Sequence, residues 1–329
     1  METDVTVLVV THRAAGFLLA TLEALAAQRV SHRLLVVDNA STDGTADILA
    51  ASVAPADVLR LPANAGFAGG VAAGLPLVRT RYVALLNDDA VPDPVWLAAL
   101  LRAARGDTSA AAWTSLMVLA DRPDTVNNRG AAFNAAWYGV DVDAGEPVDA
   151  VPAGISDVFG FCGGAALLRT AAIRAVGGFP EEFFLYYEDL ETSWRLRRAG
   201  WSIRTVPDAT VVHRHAATSD RRSELFHFYN ERNRLLTLIR CAPPAIAPAQ
   251  LLRFAVTTAS LAAKKALGHA VPDEPNFRLG LRLRVLGAVL GMAPGQYRQR
   301  RPAVGRSRLS ATHRAGPRPS VRRPSPLGS

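Results

Sequence analysis

The stretch Tyr82-Val83-Ala84-Leu85-Leu86-Asn87-Asp88-Asp89 decides how the rest of the chain is read. An apolar run ends abruptly in an amide and two adjacent carboxylates. A short continuous apolar run of this kind is the pattern of a strand buried on both faces of a parallel sheet. In open α/β sheets, ligands collect outside the carboxyl ends of such strands. Two acids released there are placed to hold a divalent cation against a phosphate. Pro92 and Pro94 follow and predict the start of the next helix. The plainer alternative for such a triplet is a helix N-cap, and the neighbouring segments have to decide between the two.

Upstream, Val5–Val10 reads as a first strand ending in Thr11-His12-Arg13, followed by a helix with Phe17, Leu18, Leu22 and Leu25 at helical spacing. Arg33–Asp38 is a second strand that also ends in an acid, after which Ser41 or Thr42 is expected to cap a helix through Ala51. Val58–Leu61 is a short third strand. Asn64-Ala65-Gly66-Phe67-Ala68-Gly69-Gly70 then forms a glycine-rich loop that enters a helix. The opening stretch becomes the fourth strand. Strands alternating with helices predict βαβ units, hence an α/β fold with a mostly parallel sheet flanked by helices.

Downstream, a helix over Pro94–Arg105 and a strand over Ala110–Leu119 precede Asp121–Val151, which reads as loops with short strands. Regular structure returns at Phe159–Arg169, followed by a helix Thr170–Val176 stopped by Gly177-Gly178. An aromatic run then leads through Glu188-Asp189 into a helix to Arg198, with strands expected over Ser202–Val206 and Thr210–His213. Glu224–Arg240, Ala249–His269 and Phe277–Met292 are helical candidates. From Pro294 the Arg, Pro, Ser and Gly content predicts a disordered tail. The chain therefore divides into a catalytic body (1–240), a C-terminal helical extension (241–293) and a basic tail (294–329).

Composition narrows the partners. The net charge of +8 is uneven: residues 270–329 hold 12 arginines against Asp273 and Glu274, a local +10, which leaves residues 1–269 at −2. A nucleic-acid-binding body would carry its positive charge on the folded part, so no nucleic acid is expected as partner. Cys162 and Cys241 form neither a disulfide framework nor a zinc cluster. The start lacks a basic, apolar leader, and no uninterrupted apolar run is long enough to span a bilayer. These features fit a cytoplasmic location.

Each chemical motif has a structural alternative. Asp38 suits a base edge or a ribose hydroxyl, or else a turn before Asn39. A dinucleotide reading fails because Thr11-His12-Arg13-Ala14-Ala15-Gly16 stands where a Gly-x-Gly-x-x-Gly turn is needed. Gly66, Gly69 and Gly70 permit close approach of a ligand or tight helix packing, and no Gly-Lys-Ser/Thr follows to make a P-loop. Glu188-Asp189 opens a helix whose dipole favours ionised acids, while the aromatic residues before it desolvate them. An acid so balanced can act as a general base, and the alternative is again capping. His213 and His215 share one face of a strand end, where either imidazole can join a metal site or simply lie at the surface.

The order of these motifs resembles that of the family 2 glycosyltransferases of the GT-A fold, especially bacterial rhamnosyltransferase-like members. The matching pieces run from Val9–Arg13 through Val36–Thr45, Asn64–Gly70, Leu85–Asp89, Gly177–Glu191, Arg197–Trp201 and Val211–His213, covering about residues 4–240. The resemblance implies that Thr11, Arg13 and Asp38 bind the nucleotide base and ribose, with Asn64 and the loop from Gly66 beside the nucleotide. Asn87-Asp88-Asp89 stands at the family's Asp-x-Asp element, with Asn in its first place. Asp89 is then the ligand of Mg²⁺ or Mn²⁺, and Asp88 a sugar or ribose contact. Asp189 matches the catalytic base, with Glu188 beside it, and His213 a histidine that joins the metal shell in some members. Arg232-Asn233 matches an Arg-Asn pair after the core, with no role attached.

The implied reaction is an inverting transfer from a nucleoside-diphosphate sugar, dTDP-rhamnose or a UDP-sugar, to a hydroxyl of a cell-surface glycan or lipid-linked acceptor. The mixed basic and apolar segment Phe277–Leu286 and the tail suggest peripheral contact with the inner face of the membrane, or a helix packed on the catalytic body. Two other classes are carried beside it: a sugar nucleotidyltransferase, disfavoured by the missing phosphate loop, and a non-catalytic sugar-nucleotide-binding protein, disfavoured by the two acidic pairs.

Overall fold

The computed structural model describes residues 3–214 and 222–300, so the expectation for His215 and most of that for the tail lie outside the described residues. In chain order the elements are β1 (Val5–Thr11), α1 (Leu18–Ala26), β2 (Arg33–Asp38), α2 (Thr45–Ser52), β3 (Val58–Arg60), α3 (Gly66–Gly74) and β4 (Tyr82–Asn87). They continue with β5 (Ala90–Pro92), α4 (Trp96–Gly106), β6 (Ala110–Leu119), β7 (Val126–Asn128), β8 (Ala131–Phe133), β9 (Gly139–Asp141) and β10 (Ser156–Asp157). The rest are β11 (Ala165–Arg169), α5 (Thr170–Ala175), α6 (Glu188–Arg198), β12 (Ser202–His213), α7 (Glu224–Cys241), α8 (Ile246–Ala266) and α9 (Leu279–Arg298).

The main sheet has the order β10-β12-β6-β11-β4-β1-β2-β3. Strands β3, β2, β1, β4, β6 and β12 run one way, and β11 and the short β10 run the other. The chain leaves β1 towards β2 and β3, then crosses back to lay β4 on the other side of β1. That reversal opens a crevice at the carboxyl ends of β1 and β4, where open α/β sheets bind ligands.

The apolar runs are continuous because both faces are covered. Val5, Val7 and Val9 pack with α1 and α4, while Leu8 and Val10 pack with Val71 of α3 and Ile173 of α5. Fully burying each such side chain is worth about 1.5–3 kcal/mol. A third cluster joins Phe133, Phe183, Tyr187, Leu190 and Trp194 to Leu235 and Leu238 of α7, Phe254 of α8 and Val285 and Val289 of α9. The C-terminal helices thus share a core with the segment that leads into α6.

Several expectations change in detail. Pro92 and Pro94 do not open a helix: Ala90–Pro92 is β5, antiparallel to β12, and the helix begins at Trp96. Neither Ser41 nor Thr42 caps α2; Asp43 accepts from the Thr45 amide (3.1 Å), while Ser41 Oγ accepts from the Arg13 amide (3.0 Å). The two strands expected before His213 are one, β12, with its register broken between Val206 and Thr210. Helix α9 continues through Pro294 to Arg298, into the stretch read as tail. The helix expected over Ala249–His269 is α8, and, although no uninterrupted apolar run of membrane length was read there, it is long and apolar enough, by length and composition, to cross a bilayer, with Phe254, Thr258 and Leu261 buried against the protein.

Candidate active site

The carboxyl edge is built by strand register. Thr11 is level with Asp38 across β1 and β2, and Val10 with Asn87 across β1 and β4. A residue that sequence reasoning passed over ties these ends together. Asn39 donates its backbone N–H to Thr11 O (2.8 Å), its Oδ1 accepts from the Ala65 amide (2.8 Å), and its Nδ2 donates to Gly66 O (2.9 Å). Its signal was present beside Asp38, in a buried Asn following a strand end. Asn64 Oδ1 turns back to accept from the Gly66 amide (2.8 Å). Gly66 has φ +70°, and a Cβ there would lie 2.2 Å from Phe184 O, so this glycine serves a close backbone approach.

Asp38 is buried with its Oδ1 accepting from the Ser41 amide (2.9 Å) and its Oδ2 3.4 Å from the Arg60 guanidinium. The turn-forming role weighed for it is therefore present. Thr11 is buried at the crevice floor, and the Arg13 side chain is exposed at its rim, on a left-handed backbone (φ 55°). Asp88 points back towards β1, with Oδ2 accepting from the His12 amide (3.3 Å) and its carbonyl from the Thr21 hydroxyl (2.8 Å). Burial pushes its carboxyl up to about 7, against the opposing hydroxyl of Thr11 and with a further push from Asp89.

Asp89 and His213, far apart in sequence, are brought together by β5. The pairing of Ala90 with His213 puts Asp89 Oδ1 3.0 Å from His213 Nε2, and the Arg214 amide donates to Asp89 O (3.0 Å). His213 Nδ1 lies 2.9 Å from Asn127 Oδ1, an acceptor, so Nδ1 carries the proton. Nε2 lies 3.3 Å from Asn87 Nδ2. A carboxylate and an imidazole side by side are a donor pair that fits a divalent ion. Among the described residues no group of three or more His, Cys, Asp and Glu side chains is assembled. That count leaves positions for phosphate and water oxygens, the usual habit of Mg²⁺ beside a nucleotide.

Asp189 reaches the same edge from α6. Its Oδ2 accepts from the Gly163 amide (3.0 Å) and its Oδ1 from the Leu190 amide (2.7 Å). The neighbouring Gly164 carbonyl accepts from the Asn87 amide (2.9 Å). Two consecutive glycines therefore bridge the two acidic motifs, and a Cβ on Gly163 would sit 3.0 Å from the Phe67 ring. This double glycine was legible in the sequence but not singled out. Burial raises Asp189 to about 6, partly offset by the Gly163 and Leu190 amides and reinforced by Asp141. Burial lifts Glu188 well above the usual carboxylate range, with Asp189 adding to it, and Glu188 Oε2 has no hydrogen-bond partner. Desolvation outweighs the helix dipole at both acids. Burial thus opposes ionisation at both acids, and more strongly at Glu188 than at Asp189.

The segment feeding α6 is strained. Phe184, Tyr186 and Tyr187 all have left-handed backbones (φ 65°, 68° and 71°), each costing about 1–3 kcal/mol for a non-glycine residue.

The chain matches the pattern described as Glycosyl transferase family 2 over residues 6–175, more than half its length and including every strand end from β1 to β4. The chain belongs to glycosyl transferase family 2. Pre-mycofactocin glycosyltransferase of Mycobacterium tuberculosis is 29% identical over 213 residues, which is 64% of this chain and 43% of that protein. N-acetylglucosaminyl-diphospho-decaprenol L-rhamnosyltransferase of the same organism is 42% identical over 59 residues, 18% of this chain and 19% of that protein. The chain thus matches less than half the length of these curated relatives. Among solved structures, mannosyltransferase PcManGT from Pyrobaculum calidifontis, in complex with GDP-Man and Mn²⁺, aligns with a TM-score of 0.52 at 19% identity, covering 88% of this chain and 87% of that one. That likeness carries the fold, and the GT-A architecture expected from the sequence is the one found.

Proposed function

We propose that this family 2 glycosyltransferase is a metal-dependent inverting enzyme that moves a sugar from a nucleoside-diphosphate sugar to a hydroxyl of a cell-surface glycan or lipid-linked acceptor. dTDP-rhamnose is the first donor to try and a UDP-sugar the second. The observation that carries the reading is the Gly163-Gly164 bridge, which joins Asp189, a carboxylate poised to ionise near neutral pH, to Asn87, whose Nδ2 lies 3.3 Å from His213 of the Asp89–His213 pair. A base and a cation site on one edge are what transfer from a diphosphate leaving group requires.

Asp89 and His213 would hold Mg²⁺ or Mn²⁺, which supplies neutralisation of the charge developing on the diphosphate. Thr11, Arg13 and Asp38 line the crevice for base and ribose, Asn64 and Gly66 border it, and Asn87 and Asp88 face the sugar side. Asp189 takes the proton of the acceptor hydroxyl. The acceptor oxygen forms its bond to the anomeric carbon as the bond to the diphosphate oxygen breaks, and the nucleoside diphosphate leaves with the electron pair. Glu188 beside it is enclosed, and burial opposes its ionisation, so Asp189 is the carboxylate assigned to the proton transfer. One ionised carboxylate and one displacement give inversion, whereas a retaining mechanism with an enzyme nucleophile uses two.

The exposed face of the C-terminal helices supports a position on the inner face of the membrane, reached from the cytoplasm. Leu252 and Val256 of α8 and Leu283, Leu290 and Tyr297 of α9 are exposed, with Lys264 and Lys265 in the last turn of α8. The net charge of +10 carried by residues 270–329 adds attraction to anionic lipid.

The test is release of nucleoside diphosphate from dTDP-rhamnose and UDP-sugars, with a bacterial lipid extract as acceptor, with Mn²⁺ and with chelator. The expected result is Mn²⁺-dependent release that Asp89→Asn and His213→Ala each lower by roughly 10²-fold. Release from no sugar nucleotide, or release indifferent to chelator, overturns the reading.

A further inference from the structure

The strained segment 183–187 holds its shape through two residues of α7. Asn233, buried, donates its Nδ2 to three carbonyls, Phe183 O (2.9 Å), Leu185 O (2.7 Å) and Tyr186 O (2.8 Å). Arg232 Nη2 donates to Glu182 O (2.8 Å) and Phe183 O (2.9 Å), and its Nε donates to Asn233 Oδ1 (2.9 Å), which fixes the amide. The Arg232 guanidinium lies over the Tyr229 ring (4.6 Å), which stacks on Phe184 (4.9 Å). The Ala68 amide donates to Phe184 O (3.1 Å). Every carbonyl from Glu182 to Tyr186 thus accepts a hydrogen bond from outside the segment, four of them from this pair.

Such a run of inward-facing carbonyls cannot stand alone. Three left-handed non-glycine residues relax unless the surroundings over-determine them. The segment ends directly at Glu188 and Asp189, and the turn at Tyr187 sets where α6 begins.

We infer that Asn233 and Arg232 are positioning residues for the transfer reaction: they clamp the 183–187 segment and so fix Asp189 against Gly163 at the edge where the acceptor must meet the sugar. The inference rests on the reading of Asp189 as the base. A clamp on α7 also explains why an Arg-Asn pair lies so far along the chain from the acids it serves. The strands β1, β2 and β4 that carry Thr11, Asp38 and Asn87 lie outside the segment, whose Phe184 meets the donor side at Gly66 and Ala68 of α3.

Asn233→Ala and Arg232→Ala test it, with Leu101→Ala, a core change on α4 in a different apolar cluster, as a control of comparable thermal destabilisation. Three quantities are read: amide hydrogen exchange over 182–191, Kd for UDP and dTDP with Mn²⁺, and kcat and KM for nucleoside diphosphate release from a sugar nucleotide with the lipid extract. The expected result in both clamp variants is faster exchange over 182–191, nucleotide Kd within about twofold, and kcat reduced roughly 10²-fold, the loss that a misplacement of about 1 Å brings. Leu101→Ala should leave exchange over this segment and kcat unchanged at a temperature where it is folded. Unchanged exchange in Asn233→Ala, or kcat falling only as far as in Leu101→Ala, overturns the clamp. Absence of turnover in the unmodified protein instead removes the catalytic reading and leaves the exchange result to decide the clamp alone.

Discussion

Asp189 accepts two backbone N–H groups and still has its pKa carried to about 6, because burial and the charge of Asp141 outweigh the amides of Gly163 and Leu190. Glu188 on its own helix and the Cys162 thiol also feel the charge of Asp189, and burial raises both of these too. A base with that pKa is ionised at neutral pH and protonated below it. Transfer should therefore fall about tenfold per unit as pH drops below about 6, which a pH series of kcat at saturating donor would reveal. Stability runs the other way. A carboxyl whose folded pKa lies above its unfolded one contributes stability at low pH and loses it as pH rises from the ordinary value of 3.8 to about 6. Asp189→Asn removes both the base and this penalty. It should abolish transfer, bind UDP or dTDP with Mn²⁺ as the unmodified protein does, and melt no lower at pH 7.5. Near-normal turnover in this variant would remove Asp189 from the mechanism.

At the scale of elements, α6 is joined to α7 and α9 by a buried ionic network. Glu191 pairs with Arg195 on its own helix (2.6 Å) and Arg240 of α7 (3.1 Å). Arg240 also meets Glu182 (2.8 Å), and Gln296 of α9 donates to the same carboxylate (2.8 Å). Burial alone would raise Glu191, but the two arginines hold it below its usual range. Its contribution is therefore present at neutral pH and lost as pH falls through the depressed value. Glu191→Gln leaves two buried guanidinium groups without their shared carboxylate and should cost about 3–5 kcal/mol in urea unfolding at pH 7; a loss under 1 kcal/mol would show that the network relaxes freely. These cross-links also mark where sequence reading stopped. β1, β2, β4 and β6 were legible because strands buried on both faces write themselves as unbroken apolar runs. β5 was not, since Ala90-Val91-Pro92 is three residues ending in a proline, with Pro94 close behind, and pairs along the edge that β12 offers. The Asp89–His213 contact depends on β5, so the pair proposed to hold a metal was suggested by family likeness and not by spacing. Asn39 stood in view beside Asp38, and Asn233 in an Arg-Asn pair, but bonds from their amides to distant backbone groups follow from the fold and not from spacing.

At the scale of the molecule, the parallel half of the sheet carries the nucleotide crevice, and the C-terminal helices share their core with the segment that presents Asp189. The outer surface of those helices is apolar at regular spacing. Leu252, Val256, Ala259 and Ala263 recur along α8 at helical intervals with solvent on that side, and Leu283, Leu290 and Tyr297 do the same along α9. Leu252 and Leu290 are each 65% exposed, large side chains that a protein bathed only in water has little reason to align. An amphipathic surface with a basic flank lies in the headgroup region of a bilayer, gaining about 1.5–3 kcal/mol per fully buried Leu and about 1 kcal/mol per Lys or Arg near anionic lipid. The two contributions separate by salt and by mutation, because only the charges are screened. The protein should co-sediment with phosphatidylglycerol vesicles, more weakly with phosphatidylcholine, and part of the binding should survive 0.5 M salt. Leu252→Glu, Val256→Glu and Leu290→Glu combined should remove the salt-resistant part while leaving UDP or dTDP binding with Mn²⁺ unchanged, since none of the three is near the crevice. If the triple variant binds phosphatidylglycerol as well as the unmodified protein at 0.5 M salt, the helical face is not the contact. If neither protein sediments with vesicles at low salt, the membrane position fails altogether, and the acceptor must reach Asp189 as a soluble glycan.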